Sequence, residues 1–212
     1  MARGYFISLE GGEGAGKTTL QSGLAKALKA RGLAVTCTRE PGGTPGAEAI
    51  RDLLLTGSND RWSPMSEALL FYAARVDHIE RVIAPALERG EWVICDRFAD
   101  STSAYQGAAG GVPSKRLMAL HDAALGGFAP DLTLVVDLDP RTGLERTVER
   151  GEDATRFENF DLDFHHRLRQ AFLDIAKDEP DRCAVLDGTQ APDTLLARAL
   201  DLIRERLLAP AA

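Results

Sequence analysis

The chain has 212 residues, of which 44% are hydrophobic and 27% charged, which is enough to bury one hydrophobic core but short for two domains. Its formal net charge of −7 argues against a broad surface for nucleic acid or an anionic membrane, so any basic cluster should be local and face a small anion. No apolar stretch approaches the ~20 residues of a membrane span and the N-terminus lacks a signal-peptide pattern, so we expect a soluble cytoplasmic protein.

Five short apolar runs alternate with longer segments of helical periodicity. They are Tyr5 to Leu9, Leu33 to Thr38, Trp92 to Cys95, Leu132 to Leu138, and Cys183 to Leu186. Continuous apolar runs are typical of parallel strands buried on both faces, which predicts a five-stranded parallel sheet inside a three-layer α/β/α domain. Each run ends in polar or glycine-rich residues, and ligands of such sheets bind at the carboxyl ends of the strands.

The segment after the first run fits the phosphate-loop pattern G-x-x-x-x-G-K-[ST]. It consists of Gly11, Gly12, Glu13, Gly14, Ala15, Gly16, Lys17 and Thr18. Its glycines let backbone N–H groups surround a polyphosphate, Lys17 neutralises the outer phosphates, and the Thr18 hydroxyl is offered to Mg²⁺. A strand before the pattern and a helix after it favour a nucleoside triphosphate site over a glycine-rich turn without a ligand.

The residues from Ser63 to Arg89 predict a long helix, with Ser63 as N-cap, Pro64 in the first helical position and a kink at Pro85. Apolar residues at alternating steps of four and three predict its core-facing stripe: Met65, Leu69, Tyr72, Val76, Ile79 and Ile83.

Phe71 and Arg75 lie off this stripe but share a face of the predicted helix, because they are four residues apart. Periodicity alone favours an exposed cation–π pair or a subunit contact. The alternative is that both side chains face a ligand.

Charged residues close two of the predicted strands. Asp96 ends a buried run, where an acid can hold Mg²⁺ directly or through water, and Arg97 then lies at the phosphates. The alternative for this pair is an ion pair or a helix cap. Arg39 ends another run and precedes Pro41-Gly42-Gly43, which permits close backbone approach to a ligand or simply forms a turn.

Three of the arginines between Arg141 and Arg156 are expected to gather near one corner. Arg146 and Arg150 share one helical face, and Arg156 comes after Gly151 and a polar stretch. Arginines that close over transferring phosphates are a recurrent device of phosphoryl transfer, so this stretch suits a lid. The alternative is a solvated helix face on which Glu145 and Glu149 pair with the arginines.

The cysteines and histidines do not form a catalytic or metal pattern. The cysteines at 37, 95 and 183 are odd in number and each lies in an apolar run, which favours buried reduced thiols. The histidines at 78, 121, 165 and 166 are expected to be structural.

Six motifs in this order and spacing resemble bacterial thymidylate kinases. They are Glu13-Gly-Ala-Gly-Lys-Thr-Thr19, Thr38-Arg-Glu-Pro-Gly-Gly-Thr44, Leu70-Phe-Tyr-Ala-Ala-Arg75, Asp96-Arg97, Ser101-Thr-Ser-Ala-Tyr-Gln106 and the arginine lid. The resemblance implies a P-loop kinase fold of one domain over residues 1–212, with a short lid at about 141–160. It also implies Mg²⁺-dependent transfer of the γ-phosphoryl group of ATP to dTMP, and a homodimer formed through helices that include part of Ser63 to Arg89.

The resemblance also implies roles for the residues of the acceptor site. Phe71 would stack on thymine and Arg75 would contact its edge, which replaces the exposed-pair interpretation. The other implied residues are Glu13 at the deoxyribose 3′-hydroxyl, Arg39 and Arg97 at the acceptor phosphate, Tyr105 against a ribose 2′-hydroxyl, and Thr102 and Gln106 beside the base.

The resemblance assigns the ATP side and the catalytic cations as well. Lys17, Thr18 and Asp96 would hold the polyphosphate with Mg²⁺, and the turn after Asp187 would lie near adenine. Position 15 is Ala, so the catalytic arginine is expected to come from the lid rather than from the phosphate loop. The implied catalytic set is Lys17, Arg97, Arg150 and Arg156.

Two other functions stay open from the residues. One is a P-loop kinase for a deoxynucleoside or another monophosphate. The other is a nucleotide-dependent switch with slow hydrolysis, although the chain has no Asn-Lys-x-Asp sequence for reading guanine.

Overall fold

The computed structural model describes residues 3–149 and 156–208 and contains a five-stranded parallel sheet. Its strands are β1 Phe6–Glu10, β2 Val35–Arg39, β3 Trp92–Asp96, β4 Leu132–Asp137 and β5 Cys183–Asp187. Their order across the sheet is β2-β3-β1-β4-β5, with Ile7 of β1 opposite Ile94 of β3 on one side and Leu132 of β4 on the other. The predicted strands and their parallel arrangement are confirmed.

Helices cover both faces of this sheet. The α-helices are α1 Lys17–Ala30, α2 Pro45–Leu55, α3 Pro64–His78, α4 Ala84–Glu88, α5 Ala99–Thr102, α6 Ser114–Leu125, α7 Pro140–Glu149, α8 Leu162–Asp178 and α9 Pro192–Ile203. Wider π-helical turns occur at Ile79–Ile83, Ser103–Ala109 and Arg204–Leu208. None of the helices in the described part of the chain is long and apolar enough to cross a membrane.

Alternate side chains of the central strands enter different hydrophobic clusters. Leu134 of β4 packs in the cluster that contains Leu24 of α1 and Leu202 of α9. Its neighbour Val135 packs in the cluster that contains Leu168 of α8. Because successive strand residues point to opposite faces, these clusters lie on the two sides of the sheet, and the three-layer prediction is confirmed.

The two edge strands are less buried than their apolar sequences predict. Cys37 of β2 is exposed, and Val185 of β5 is 48% exposed. The prediction of a buried thiol is therefore wrong for Cys37, because a strand at the sheet edge is not covered on both faces. Cys95 and Cys183 are buried as predicted, and all three cysteines are free.

The helix predicted from Ser63 begins as expected, but its buried face differs in part from the predicted stripe. The Ser63 hydroxyl accepts a hydrogen bond from the Ser66 N–H, and Pro64 is the first helical residue. The π-helical turn precedes Pro85. Leu69 was predicted in the core stripe but is 51% exposed, whereas the buried positions of α3 include polar side chains: Glu67, Arg75 and His78. Tyr72 and Ile83 of the predicted stripe are buried, so the stripe is wrong only in part of its length, at Leu69. It misses the polar positions because these side chains are buried by hydrogen-bond partners that are distant in sequence.

Helix α7 touches the phosphate loop backbone to backbone. A Cβ atom added to Gly14 would lie 2.0 Å from the carbonyl oxygen of Gly143, and one added to Gly143 would lie 2.2 Å from the carbonyl oxygen of Glu13. Gly14 also has a φ of +65°, which favours glycine. This contact fixes where the start of α7 lies relative to the loop.

We predict that Gly143→Ala lowers the free energy of unfolding by about 1–3 kcal/mol, because the new methyl group overlaps a backbone carbonyl that cannot rotate away. Gly23→Ala in α1 is the matched control. Its Cβ atom would lie 3.0 Å from the flexible side-chain tip of Leu196, so helix propensity should make that variant neutral or slightly stabilised. Urea denaturation measures both, and equal stability changes in the two variants would contradict the backbone contact.

Candidate active site

A cleft of about 270 Å³ opens at the carboxyl ends of β1, β2 and β3. All eight residues predicted for the acceptor site line it: Glu13, Arg39, Phe71, Arg75, Arg97, Thr102, Tyr105 and Gln106. The loop residues Glu13 to Thr18 and the strand-end Asp96 line it too, whereas Gly11 and Gly12 lie behind this surface. The structure therefore joins the predicted triphosphate and acceptor sites in one cleft.

The phosphate loop leads directly into α1, whose N-terminal end lines the cleft. Gly11, Gly14 and Gly16 have positive φ values, and Gly16 is the N-cap of α1 without a side-chain cap. The first N–H groups of the helix are therefore available to an anion, which the helix dipole also favours.

Lys17 folds back over this loop. Its Nζ donates hydrogen bonds to the carbonyl oxygens of Gly11 at 3.1 Å and Gly12 at 2.7 Å. Burial lowers the pKa of Lys17 to about 8, and the charge of Arg97 adds to this effect while nearby carboxylates oppose it. The ammonium group is thus held beside the loop at a pKa close to neutral pH.

Thr18 and Asp96 meet at the position predicted for a metal ion. The Thr18 hydroxyl donates to Asp96 Oδ2 at 3.2 Å, and the buried Oδ1 of Asp96 has no hydrogen-bond partner among the described residues. Mg²⁺ prefers oxygen ligands and keeps several of its waters, so one hydroxyl and one carboxylate beside the phosphates fit it.

A second group of possible metal ligands consists of Glu40, His78 and Cys95, whose ligand atoms lie within 4.8 Å of one another. Both ring nitrogens of His78 are already hydrogen-bonded, and Glu40 is paired with Arg75. Burial raises the pKa of Cys95 well above its usual value, so this residue stays a thiol. We therefore read this group as a buried hydrogen-bonded network.

Glu13 links the phosphate loop to the opposite wall of the cleft. Its carboxylate accepts hydrogen bonds from Arg97 Nη2 at 3.0 Å and from the Tyr105 hydroxyl. The Arg97 guanidinium also lies 5.0 Å from the centre of the Tyr105 ring. Burial alone raises the pKa of Glu13, but the charges of Arg97 and Lys17 outweigh it and bring the pKa to about 2. Glu13 is therefore a charged acceptor.

The backbone at Arg97 has a φ of +69°, which is uncommon outside glycine. Glu10 at the end of β1 supports this turn by accepting hydrogen bonds from the Phe98 N–H at 2.7 Å and the Ser101 hydroxyl at 2.6 Å. Burial, with a contribution from Asp100, raises the pKa of Glu10 to about 8. The sequence analysis did not identify Glu10, because an acid at a strand end has no local signal that separates support from binding.

Arg75 and Phe71 both face the cleft. Arg75 is only 1% exposed and donates to the Phe98 carbonyl oxygen at 3.0 Å and to Thr102 Oγ1 at 3.2 Å. Phe71 is half-buried and its ring lies 6.2 Å from that of Phe157. The exposed cation–π pair that periodicity favoured is therefore wrong, whereas the contacts of both side chains with a base stay a prediction.

Arg156, which was predicted to be catalytic, is buried and is not among the residues that line the cleft. Its buried guanidinium donates to Glu67, to the Leu54 carbonyl oxygen at 3.1 Å and to the Asn59 carbonyl oxygen at 3.0 Å. Glu67 in turn accepts a hydrogen bond from Gln106 Nε2 at 3.0 Å. Arg150 lies outside the described residues, and Arg146 donates to the carbonyl oxygen of Gly188 at 3.4 Å.

Arg51 is a cleft residue that the sequence analysis missed. It lies on α2, lines the cleft and donates to the Pro41 carbonyl oxygen at 2.7 Å. Burial lowers its pKa, and the charge of Arg39 adds to this effect. Arg39 is itself more than half exposed and paired with Glu48. A single arginine on an amphipathic helix reads as solvated, so nothing in the local pattern singles out Arg51.

The comparisons with known proteins agree with this geometry. The family model for thymidylate kinase matches residues 9–198. Thymidylate kinase from Caulobacter vibrioides is 56% identical over 207 residues, which cover 98% of this chain and 99% of that one. Thymidylate kinase from Bradyrhizobium diazoefficiens is 49% identical, covering 97% and 91%.

A solved structure is similar over nearly the same extent. The crystal structure of thymidylate kinase from Ehrlichia chaffeensis is 34% identical, covers 95% of this chain and 99% of that one, and superposes with a TM-score of 0.77. Matches of this identity and coverage show that the chain belongs to the thymidylate kinase family.

Proposed function

We propose that the protein transfers the γ-phosphoryl group of ATP to dTMP, giving ADP and dTDP for dTTP biosynthesis. The observation that carries this proposal is the single cleft in which a phosphate loop faces an aromatic wall with a buried arginine, with further guanidinium groups between them. A family relationship over almost the whole chain supports the same reaction.

On the donor side, the phosphate loop and the start of α1 bind the ATP polyphosphate, with Lys17 on the outer phosphates. Thr18 and Asp96 would hold Mg²⁺, which neutralises phosphate charge when it is bound. Gly188, which follows β5 and whose carbonyl oxygen accepts from Arg146, lies in the turn implied to be near adenine.

On the acceptor side, three arginines line the part of the cleft next to the phosphate loop: Arg39, Arg51 and Arg97. We assign them to the dTMP phosphate, for which guanidinium groups are well suited. Glu13 accepts a hydrogen bond from the 3′-hydroxyl of the sugar. Tyr105 leaves no room for a 2′-hydroxyl, so the site selects a deoxynucleotide. The base lies on Phe71, beside Arg75, Thr102 and Gln106.

No general base is required for this reaction. The dTMP phosphate is already an anionic nucleophile at neutral pH, so the chain contributes positioning and charge neutralisation. Among the described residues, Lys17 and Arg97 are two of the catalytic cations that neutralise phosphate charge. For the lid at about 141–160, we propose Arg150 as the further catalytic cation. The role predicted for Arg156 would require it to leave three buried acceptors.

The three free cysteines fit the reducing conditions of a cytoplasm, where we place the protein as a single domain.

The reaction is tested by ADP release with Mg-ATP and a panel of acceptors: dTMP, dUMP, ribo-TMP, dCMP, dGMP, AMP and thymidine. We predict strong preference for dTMP, and loss of transfer in Lys17→Ala by a factor of about 100 or more without loss of the fold. Thermal unfolding checks the fold of the variant. Activity on another acceptor would overturn the dTMP site, and acceptor-independent turnover would indicate a nucleotide switch.

The pKa of Lys17 at about 8 predicts a pH dependence of ATP use. As the pH rises through about 8, the free enzyme loses the lysine charge, so kcat/KM for ATP should fall about tenfold per further pH unit. At saturating Mg-ATP the negative charge of the bound phosphates raises the pKa of Lys17. The value of kcat should therefore stay constant to a higher pH than kcat/KM does. Rate profiles between about pH 6.5 and 9.5 measure both. A flat kcat/KM for ATP would contradict the assignment.

We also propose a homodimer formed through α2, α3 and α6, which pack side by side. Each carries a large exposed apolar side chain: Leu53 is 41% exposed, Leu69 is 51% exposed and Met118 is 65% exposed. Apolar side chains on neighbouring helices are typical of an interface core.

We predict that the double variant Leu69→Glu with Met118→Glu is monomeric, because burying two carboxylates in an apolar interface is unfavourable. Sedimentation equilibrium measures the mass. Val148→Glu on α7 is the control, since Val148 is 79% exposed and lies on a different helix. A wild-type monomer, or an unchanged mass in the double variant, would rule out this interface.

A further inference from the structure

The segment from Thr38 to Thr44 forms a polar contact with the buried face of α3. Glu40 Oε2 accepts a hydrogen bond from Arg75 Nε at 2.7 Å, and Glu40 Oε1 accepts one from His78 Nδ1 at 3.0 Å. Thr44 also donates its hydroxyl hydrogen to Asp77 of the same helix. This segment is therefore tied to the helix that carries the cleft-facing arginine.

Arg75 has five N–H donors, and the described contacts account for four of them. Nε donates to Glu40, Nη2 donates to the Phe98 carbonyl oxygen and Thr102 Oγ1, and Nη1 donates once to the same Thr102 oxygen. One N–H group on Nη1 has no partner among residues 3–149 and 156–208. Since Arg75 lines the cleft, this is the donor left for a ligand.

The plane of the Arg75 guanidinium is fixed by the hydrogen bond from Nε to Glu40 and by those from Nη1 and Nη2. Because the group is planar, the direction of Nε–H toward Glu40 sets the direction of the free Nη1–H. Arg75 also lies 4.8 Å from the centre of the Tyr72 ring and 5.2 Å from that of Phe98. A shift of Glu40 would therefore turn the donor that faces the ligand.

His78 fixes the other oxygen of Glu40. It is fully buried, and its Nε2 lies 2.7 Å from Thr38 Oγ1. Since the carboxylate accepts from Nδ1–H, the Thr38 hydroxyl donates to Nε2. A Cβ atom on Gly43 would lie 2.6 Å from the His78 ring, so the glycine leaves room for this side chain.

We propose that Glu40 and His78 are positioning residues for base recognition, with Glu40 setting the orientation of Arg75 and His78 holding Glu40 in place. The inference rests on the proposed function, in which Arg75 reads the base edge. A hydrogen-bond donor at that edge can pair with the carbonyl that thymine carries at position 4 of the pyrimidine ring. Cytosine carries an amino group there, so the array favours dTMP over dCMP.

The test compares kcat/KM for dTMP with that for dCMP, together with the KM for ATP and thermal unfolding. Glu40→Gln and His78→Ala are each expected to lower the dTMP-to-dCMP ratio about tenfold, the size of effect that loss of a charge-assisted hydrogen bond produces. The KM for ATP should stay unchanged. His78→Asn keeps a donor near the place of Nδ1 and should recover part of the ratio.

Two further variants separate a positioning effect from a loss of the fold. Thr38→Val keeps the packing volume but removes the donor to His78, so the ratio should fall by a smaller factor. Asp77→Asn perturbs the same segment through Thr44 without touching Glu40, and should leave the ratio unchanged.

Equal loss of activity on dTMP and dCMP in Glu40→Gln, or a shifted ratio in Asp77→Asn, would overturn the positioning role. Arg75→Gln separates this failure from failure of the base-reading role. A lowered ratio in Arg75→Gln with an unchanged ratio in Glu40→Gln would overturn the positioning role alone. An unchanged ratio in Arg75→Gln would overturn the base-reading role and, with it, the inference.

Discussion

The ion pair between Glu13 and Arg97 is the interaction on which the cleft depends. It joins the phosphate loop after β1 to the turn after β3. Both partners are largely buried, and such a pair is stable only when its remaining hydrogen-bonding positions are filled. Tyr105 fills the second oxygen of Glu13, and the Gly11 carbonyl oxygen accepts from Arg97 at 3.0 Å.

The same principle governs the two most buried arginines of the described residues. Arg75 is balanced by Glu40, and Arg156 is balanced by Glu67. Fixed carboxylates keep these guanidinium groups in defined orientations, so little reorganisation is needed when a charged ligand arrives. Arg39 and Arg51 are less buried than these two arginines.

The parts of this structure that follow from sequence are those with a strong local signal. The phosphate loop has an unambiguous spacing, and the buried strands read as apolar runs. The inner face of α3 could not be predicted, because Arg75 and His78 are buried by partners that are distant in sequence. Arg51 was missed because a single arginine on an amphipathic helix has no local signal that separates it from a solvated residue. Cys37 was misplaced because the sequence does not say which strand lies at an edge.

The contact between Gly14 and Gly143 has a mechanical consequence. Two backbones meet there with no side chain between them, and a side chain that can change rotamer is what usually absorbs small shifts in a packed interior. A displacement of the phosphate loop is therefore passed directly to the first turn of α7. Since Arg146 lies in the next turn of α7, occupation of the loop and the position of this arginine are coupled through rigid backbone.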